Sequence, residues 1–128
     1  MRLELAVRLM RDVDDLTTFR HVLDGALATL GVTEACRADI GLIVSEICAH
    51  VVSYLTKGDH AQVGVAVDAG MCMIEVRADG EVDPQRPNVL AESGRGLRIV
   101  NQLADNVTVF ADPSHGLLLR AGKRLVTA

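Results

Sequence analysis

AQVGVAVDAGMCMIEVR, from Ala61 to Arg77, alternates with a period of two on either side of Ala69-Gly70. Val63, Val65 and Val67 fall on one side of the first half, opposite the small Gly64 and Ala66. Successive side chains of a strand point to opposite faces of a sheet, so this pattern reads as a strand with one buried face. Ala-Gly between two such runs reads as a turn, and the stretch as a β-hairpin. Working outward, Leu3, Leu5 and Val7 alternate with Glu4, Ala6 and Arg8 and predict an earlier strand. From Asp12 to Leu30 the spacing turns helical. Val13, Leu16, Phe19, Leu23, Ala26, Leu27 and Leu30 form one stripe that ends at Gly31. Thr33 is placed to cap a second helix, expected to run to about Thr56 with Gly58 beyond it. That helix is apolar around much of its circumference and should be largely buried.

Downstream of the hairpin, residues 79–92 are rich in Asp, Glu, Pro and Gly and read as a loop. Leu97, Val100, Leu103 and Ala104 mark a short third helix entered through Ser93-Gly94-Arg95-Gly96. Val107 to Phe110 and Gly116 to Arg120 read as two further strands, turned at Asp112-Pro113. The order is β-α-α-β-β-α-β-β. Strands that cluster and connect by hairpins predict a mixed, mainly antiparallel sheet with helices on one face, an α+β two-layer sandwich.

The 128 residues fit a single domain, 1–128, with room for one core. An apolar fraction of 49% excludes a disordered chain. No apolar run approaches the roughly 20 residues of a membrane-spanning helix, and no membrane association is expected. MRLELAVRLMRD at the start carries charges every few residues, unlike a secretory signal. A net charge of −4 argues against direct nucleic-acid binding through phosphates. With no Trp, one Tyr and two Phe, the core must be aliphatic, and base-stacking platforms are missing. Cys36, Cys48 and Cys72 are odd in number and read as small hydrophobes in a reducing cytoplasm.

Three short segments could carry chemistry. Glu46 and His50 are four apart on the second helix and share a face. One reading is a general base with a ligand or proton partner in a cleft. The other is a Glu–His pair, in which an ionised Glu46 favours the charged imidazolium. The paired histidines of a zinc-protease H-E-x-x-H are absent. The second segment is Ala78-Asp79-Gly80-Glu81-Val82, where Asp-Gly after a strand is also an ordinary turn. The third is Gly94-Arg95-Gly96-Leu97, where two glycines at a helix start expose backbone N–H groups and Arg95 adds charge, which suits an anion. A flexible helix entry explains the same residues. Neither a complete G-x-G-x-x-G nor a G-K-[ST] loop occurs, and His21, His60 and His115 stand alone.

Taken in order, an acidic residue on a helix, a strand ending in Asp-Gly and a G-R-G-L helix entry resemble the Bergerat-fold (GHKL) ATPases, in particular the small RsbW-like anti-sigma factor serine/threonine kinases. DIGLIVSEICAHVVSYL, Asp39 to Leu55, is similar to the family's N-box helix, and GRGLRIVNQLAD, Gly94 to Asp105, to its second glycine box. The resemblance places Glu46 at the catalytic base. It places His50 where the family has a magnesium-binding Asn. The family's first glycine box reads D-x-G-x-G; Ala78 stands where its Asp accepts from the adenine amino group, Gly80 matches the middle Gly, and Val82 replaces the last. Asp79 is adjacent to the acceptor position but on the alternate register of the strand. Gly94, Arg95, Gly96 and Leu97 match the phosphate-holding box.

The resemblance implies ATP or ADP with Mg as cofactors, and no other metal. It implies a sigma factor and a STAS-type anti-anti-sigma protein as partners, a possible homodimer, and a cytoplasmic regulator of transcription. Imidazole is a poor substitute for an amide carbonyl toward Mg, and Ala78 offers no acceptor to adenine. The departures favour a binding module with weakened or lost nucleotide binding over an active serine/threonine kinase. A stand-alone ATPase has only the fold in its favour.

Overall fold

The computed structural model describes residues 3–9, 13–52, 61–79, 95–112 and 116–128. Its elements are β1 (Leu3–Leu9), α1 (Val13–Thr29), α2 (Glu34–Val52), β2 (Ala61–Asp68), β3 (Met71–Asp79), α3 (Arg95–Leu103), β4 (Asn106–Asp112) and β5 (Gly116–Arg124). Five strands form one sheet in the order β1-β2-β3-β5-β4. The expected hairpin is β2–β3, with Asp68 opposite Met71. Its two turn residues both have positive φ, 52° at Ala69 and 78° at Gly70. That is the backbone a two-residue hairpin turn needs to match the twist of its strands.

All four pairings are antiparallel, which corrects the mixed sheet expected from the sequence. Two helices separate β1 from β2, so the chain runs out along one and back along the other and re-enters the sheet reversed. A single helix, α3, separates β3 from β4, and these two strands do run in the same direction. They do not touch, because β5 lies between them. The parallel relation thus exists as a direction and not as a pairing.

The ends of α1 and α2 follow from their sequence. Gly31 has φ 84°. Val32 N–H donates to the Leu27 carbonyl at 3.1 Å and Gly31 N–H to the Ala28 carbonyl at 3.0 Å, the two bonds of a Schellman cap. Thr33 caps α2 as expected, its Oγ1 accepting from Cys36 N–H at 3.3 Å. Residues 53–60, where the sequence extends this helix and places Gly58 as its stop, lie outside the described residues.

One face of the sheet packs on the helices. Val63, Val65, Val67, Cys72, Ile74, Val76, Leu117 and Leu119 are buried there against Leu23 and Leu27 of α1, Ile40, Ile43, Val44 and Ile47 of α2, and Val100 of α3. The core is aliphatic, as the composition requires. All three cysteines are free and buried. Burial pushes the thiols of Cys48 and Cys72 up to about 12, with the neighbouring Cys36 adding to the rise at Cys72. In the unfolded chain a thiol ionises near 8.5. The folded state therefore holds these protons more tightly. Their contribution is fully present below the unfolded value and is lost as pH rises toward 12. Urea midpoints are expected to fall between about pH 9 and 12, less steeply in Cys48→Ala, and both thiols are expected to resist Ellman's reagent until the protein unfolds.

Candidate functional site

α2 lies across the sheet, and its buried line of Cys36, Ile40, Ile43, Ile47 and Val51 faces the strands. The flanks of this helix are set by its 3.6-residue period. Positions 46 and 50 are seven and eleven after position 39, so each points within about 20° of it, one to either side. Positions 37 and 41 project from roughly the opposite side.

Contacts assign a neighbour to each flank. Arg37 Nε bonds Asp24 Oδ1 of α1 at 3.0 Å. A methyl at Gly41 would lie 3.5 Å from Nη2 of Arg20, also on α1. On the other side, Lys123 Nζ of β5 donates to the Leu103 carbonyl at the end of α3, at 2.7 Å, and reaches Asp39 Oδ2 at 3.7 Å. α1 therefore runs along one flank of α2 and α3 along the other. Glu46 and His50 share the α3 flank with Asp39, and both are half-buried there.

Among the described residues, the Glu46 carboxylate makes no hydrogen bond or ion pair. No such contact joins it to His50, so the Glu–His pair that their spacing allows does not form. An i,i+4 relation brings side chains within reach of each other without obliging contact.

Arg95, Gly96 and Leu97 form the first turn of α3. The start of that helix is where backbone N–H groups lack partners within the helix. Ala78 is buried on the inward register of β3, in line with Val76 and Ile74, and pairs with Leu117. Asp79 ends the strand opposite Gly116. α2 packs against both β3 and α3. Gly80, Val82 and Gly94 lie outside the described residues.

The donor set at these positions does not fit magnesium. The ion takes oxygen ligands in near-octahedral geometry, and His50 offers a nitrogen. Among the described residues no three His, Cys, Asp or Glu side chains gather to hold a metal. The buried methyl of Ala78 cannot accept from an adenine amino group.

Sequence reasoning missed the Asp39–Lys123 contact that ties α2, the end of α3 and β5 together. The seven-residue step from Asp39 to Glu46 would have put both on one flank. The partner, 84 positions further on, left no local signal.

Comparison with known proteins bears on the family and the fold. The family model described as histidine kinase-like ATPase domain matches residues 9–123. Among solved structures, a chain of the SiaB–SiaC complex from Pseudomonas aeruginosa superposes with a TM-score of 0.71 at 13% identity, over 92% of this chain and 88% of that one. At this identity the likeness is one of fold. No curated protein matches the sequence significantly. No helix among the described residues is long and apolar enough to cross a membrane.

Proposed function

Because the chain belongs to the histidine kinase-like ATPase domain family, we propose that it is a regulator of the anti-sigma-factor type that works by protein contact, with nucleotide binding weakened or lost. One observation carries this reading. Ala78 is buried on the inward register of β3, at the position where the resembled kinases place the carboxylate that reads adenine. His50, in the place of a magnesium-binding amide, points the same way. The partners on this reading are a sigma factor and a STAS-type anti-anti-sigma protein, in the cytoplasm, with the chain acting as a homodimer. The neighbour of similar fold was solved in complex with another protein, which is compatible with a scaffold that works through a bound partner.

Glu46 favours the second reading, an active serine/threonine kinase. It stands where the family's base stands and is engaged by no other described residue. There it would orient and deprotonate an incoming hydroxyl. In that case Gly94, Arg95, Gly96 and Leu97 would hold the phosphates, with Asp79 and Gly80 beside the base of the nucleotide.

Calorimetry with ATP and ADP, with and without Mg, separates the two. The expected outcome is a dissociation constant weaker than about 100 μM that Mg changes by less than about twofold. Micromolar, Mg-dependent binding, accompanied by phosphate transfer to a STAS-type protein, would establish the kinase instead.

A further inference from the structure

The helices of the core cover one face of the sheet, and the residues between the buried positions form the other face. Register lays Ala6, Gly64, Glu75, Arg120 and Thr108 in one row across all five strands of that outer face.

The two halves of this face differ in relief. On the β1–β2 side the outward residues Ala6, Gly64 and Ala66 carry at most a methyl. They leave a trough of about 530 Å³, bordered by Glu4, Met73, Glu75 and Arg77. On the β5–β4 side Arg120 and Leu118 stand out of β5, with Thr108 and Phe110 beside them on β4. Phe110 is 55% exposed, as much as any large apolar side chain among the described residues. The outer face is therefore hollow on one side of β3 and raised on the other.

Its charge differs from that of the whole chain. Glu4 and Glu75 are balanced by Arg77 and Arg120, whereas the chain carries a net −4. Glu75 already holds both arginines, Arg120 Nη2 at 2.9 Å and Arg77 Nη2 at 3.5 Å. Covering this face would enclose paired charges and would bring together no excess of one sign, so the cost of burying an uncompensated charge does not arise.

We propose that the outer face is where two copies of this chain meet, with the raised half of each filling the trough of the other. A two-fold axis parallel to the strands through β3, the middle strand, lays β2 of each copy over β5 of the other and β1 over β4. Such an axis uses the same patch on both copies and closes the assembly at two. Stacked sheets lie about 10 Å apart, a gap that interdigitating side chains fill. Five strands about 4.8 Å apart and about seven residues long present roughly 550 Å² per copy. The pair then covers roughly 1,100 Å², the lower end of what a specific interface needs, so a dimer of micromolar strength is expected. The inference gives the homodimer of the proposed function its surface, and for the existence of a dimer it rests on that reading.

Sedimentation velocity of the intact chain between about 5 and 200 μM is the test, and a concentration-dependent monomer–dimer equilibrium is the expected result. Gly64→Arg fills the trough. A Cβ at position 64 would meet only the Leu5 carbonyl, at 4.0 Å, so the single copy has room for it. Gly64→Arg and Phe110→Ser are each expected to weaken the dimer by roughly tenfold or more, with an unchanged far-UV CD spectrum. If Gly64→Arg does not fold, Ala6→Arg at an exposed position of the same trough takes its place. Leu42→Arg, at an exposed apolar position on α2, is expected to leave the dimer as it is. A dimer that keeps its full strength in both Phe110→Ser and the trough variant overturns this surface and leaves the homodimer standing. So does a dimer that Leu42→Arg dissolves and the trough variant does not. A chain that stays monomeric at about 200 μM overturns the surface and the homodimer together.

Discussion

Ala78→Asp combined with Val82→Gly and His50→Asn is expected to tighten ADP binding by at least tenfold and up to several hundredfold, and to make ATP binding respond to Mg. The magnitude comes from the carboxylate. A hydrogen bond to a charged group contributes about 1.5–3 kcal/mol, and each 1.4 kcal/mol is tenfold in affinity. The substitution carries a cost that gives a second readout. Position 78 is 7% exposed on the helix-facing side of β3, so without ligand the new carboxylate lies among apolar neighbours. The triple variant should then be less stable by about 1–3 kcal/mol. Saturating ADP should recover much of that, since a ligand that binds only the folded state stabilises it. Isothermal titration and thermal melts of the two chains, with and without ADP, measure both quantities. If the unsubstituted chain already binds ADP as tightly as the triple variant, position 78 does not read adenine, and the proposed loss of nucleotide binding falls.

The readable parts of this fold were those with short-range causes. The β2–β3 hairpin announced itself through alternating valines and an Ala-Gly turn. α1 ended where Gly31 allowed a positive φ, and α2 began where Thr33 could cap it. The order of strands had no such cause. A period of two says which residues face the core and nothing about which strand lies beside which, so the insertion of β5 between β3 and β4 was not legible. The full length of β5 was hidden for a related reason. Gly122, Lys123 and Arg124 are polar or small and look like the end of a strand. They stay in the sheet because Cys72 and Met71 of β3 pair with Lys123 and Arg124.

The candidate site divides along the same line. Glu46 and His50 could be placed on one flank from their spacing, and the helix entry at Gly94–Leu97 from its glycines. That their flank faces α3 depends on Lys123 touching both Asp39 and the end of α3. Contacts between residues so distant in sequence are decided by the packing of whole elements.

Ile47→Ala is expected to destabilise the chain by about 2–5 kcal/mol, while Glu46→Gln, one residue earlier, should change stability by less than about 0.5 kcal/mol. Adjacent helix positions project about 100° apart, and here that rotation separates the core from the candidate site. Ile47 is fully buried against the sheet. Removing three of its carbons forfeits their transfer free energy and leaves a cavity that a close-packed interior fills only in part. Neighbouring Ile43 and Val44 are also fully buried in the same cluster and have little freedom to collapse inward. Glu46 sits on the flank toward α3, and its carboxylate supports no other described side chain. Its amide counterpart keeps the shape and removes only the charge. Urea unfolding of the two variants compares them directly, with an unchanged m-value confirming that the folded state is intact. A large loss in Glu46→Gln would make the carboxylate part of what holds the fold together. With stability untouched, any change that Glu46→Gln brings in nucleotide or partner binding belongs to the site itself.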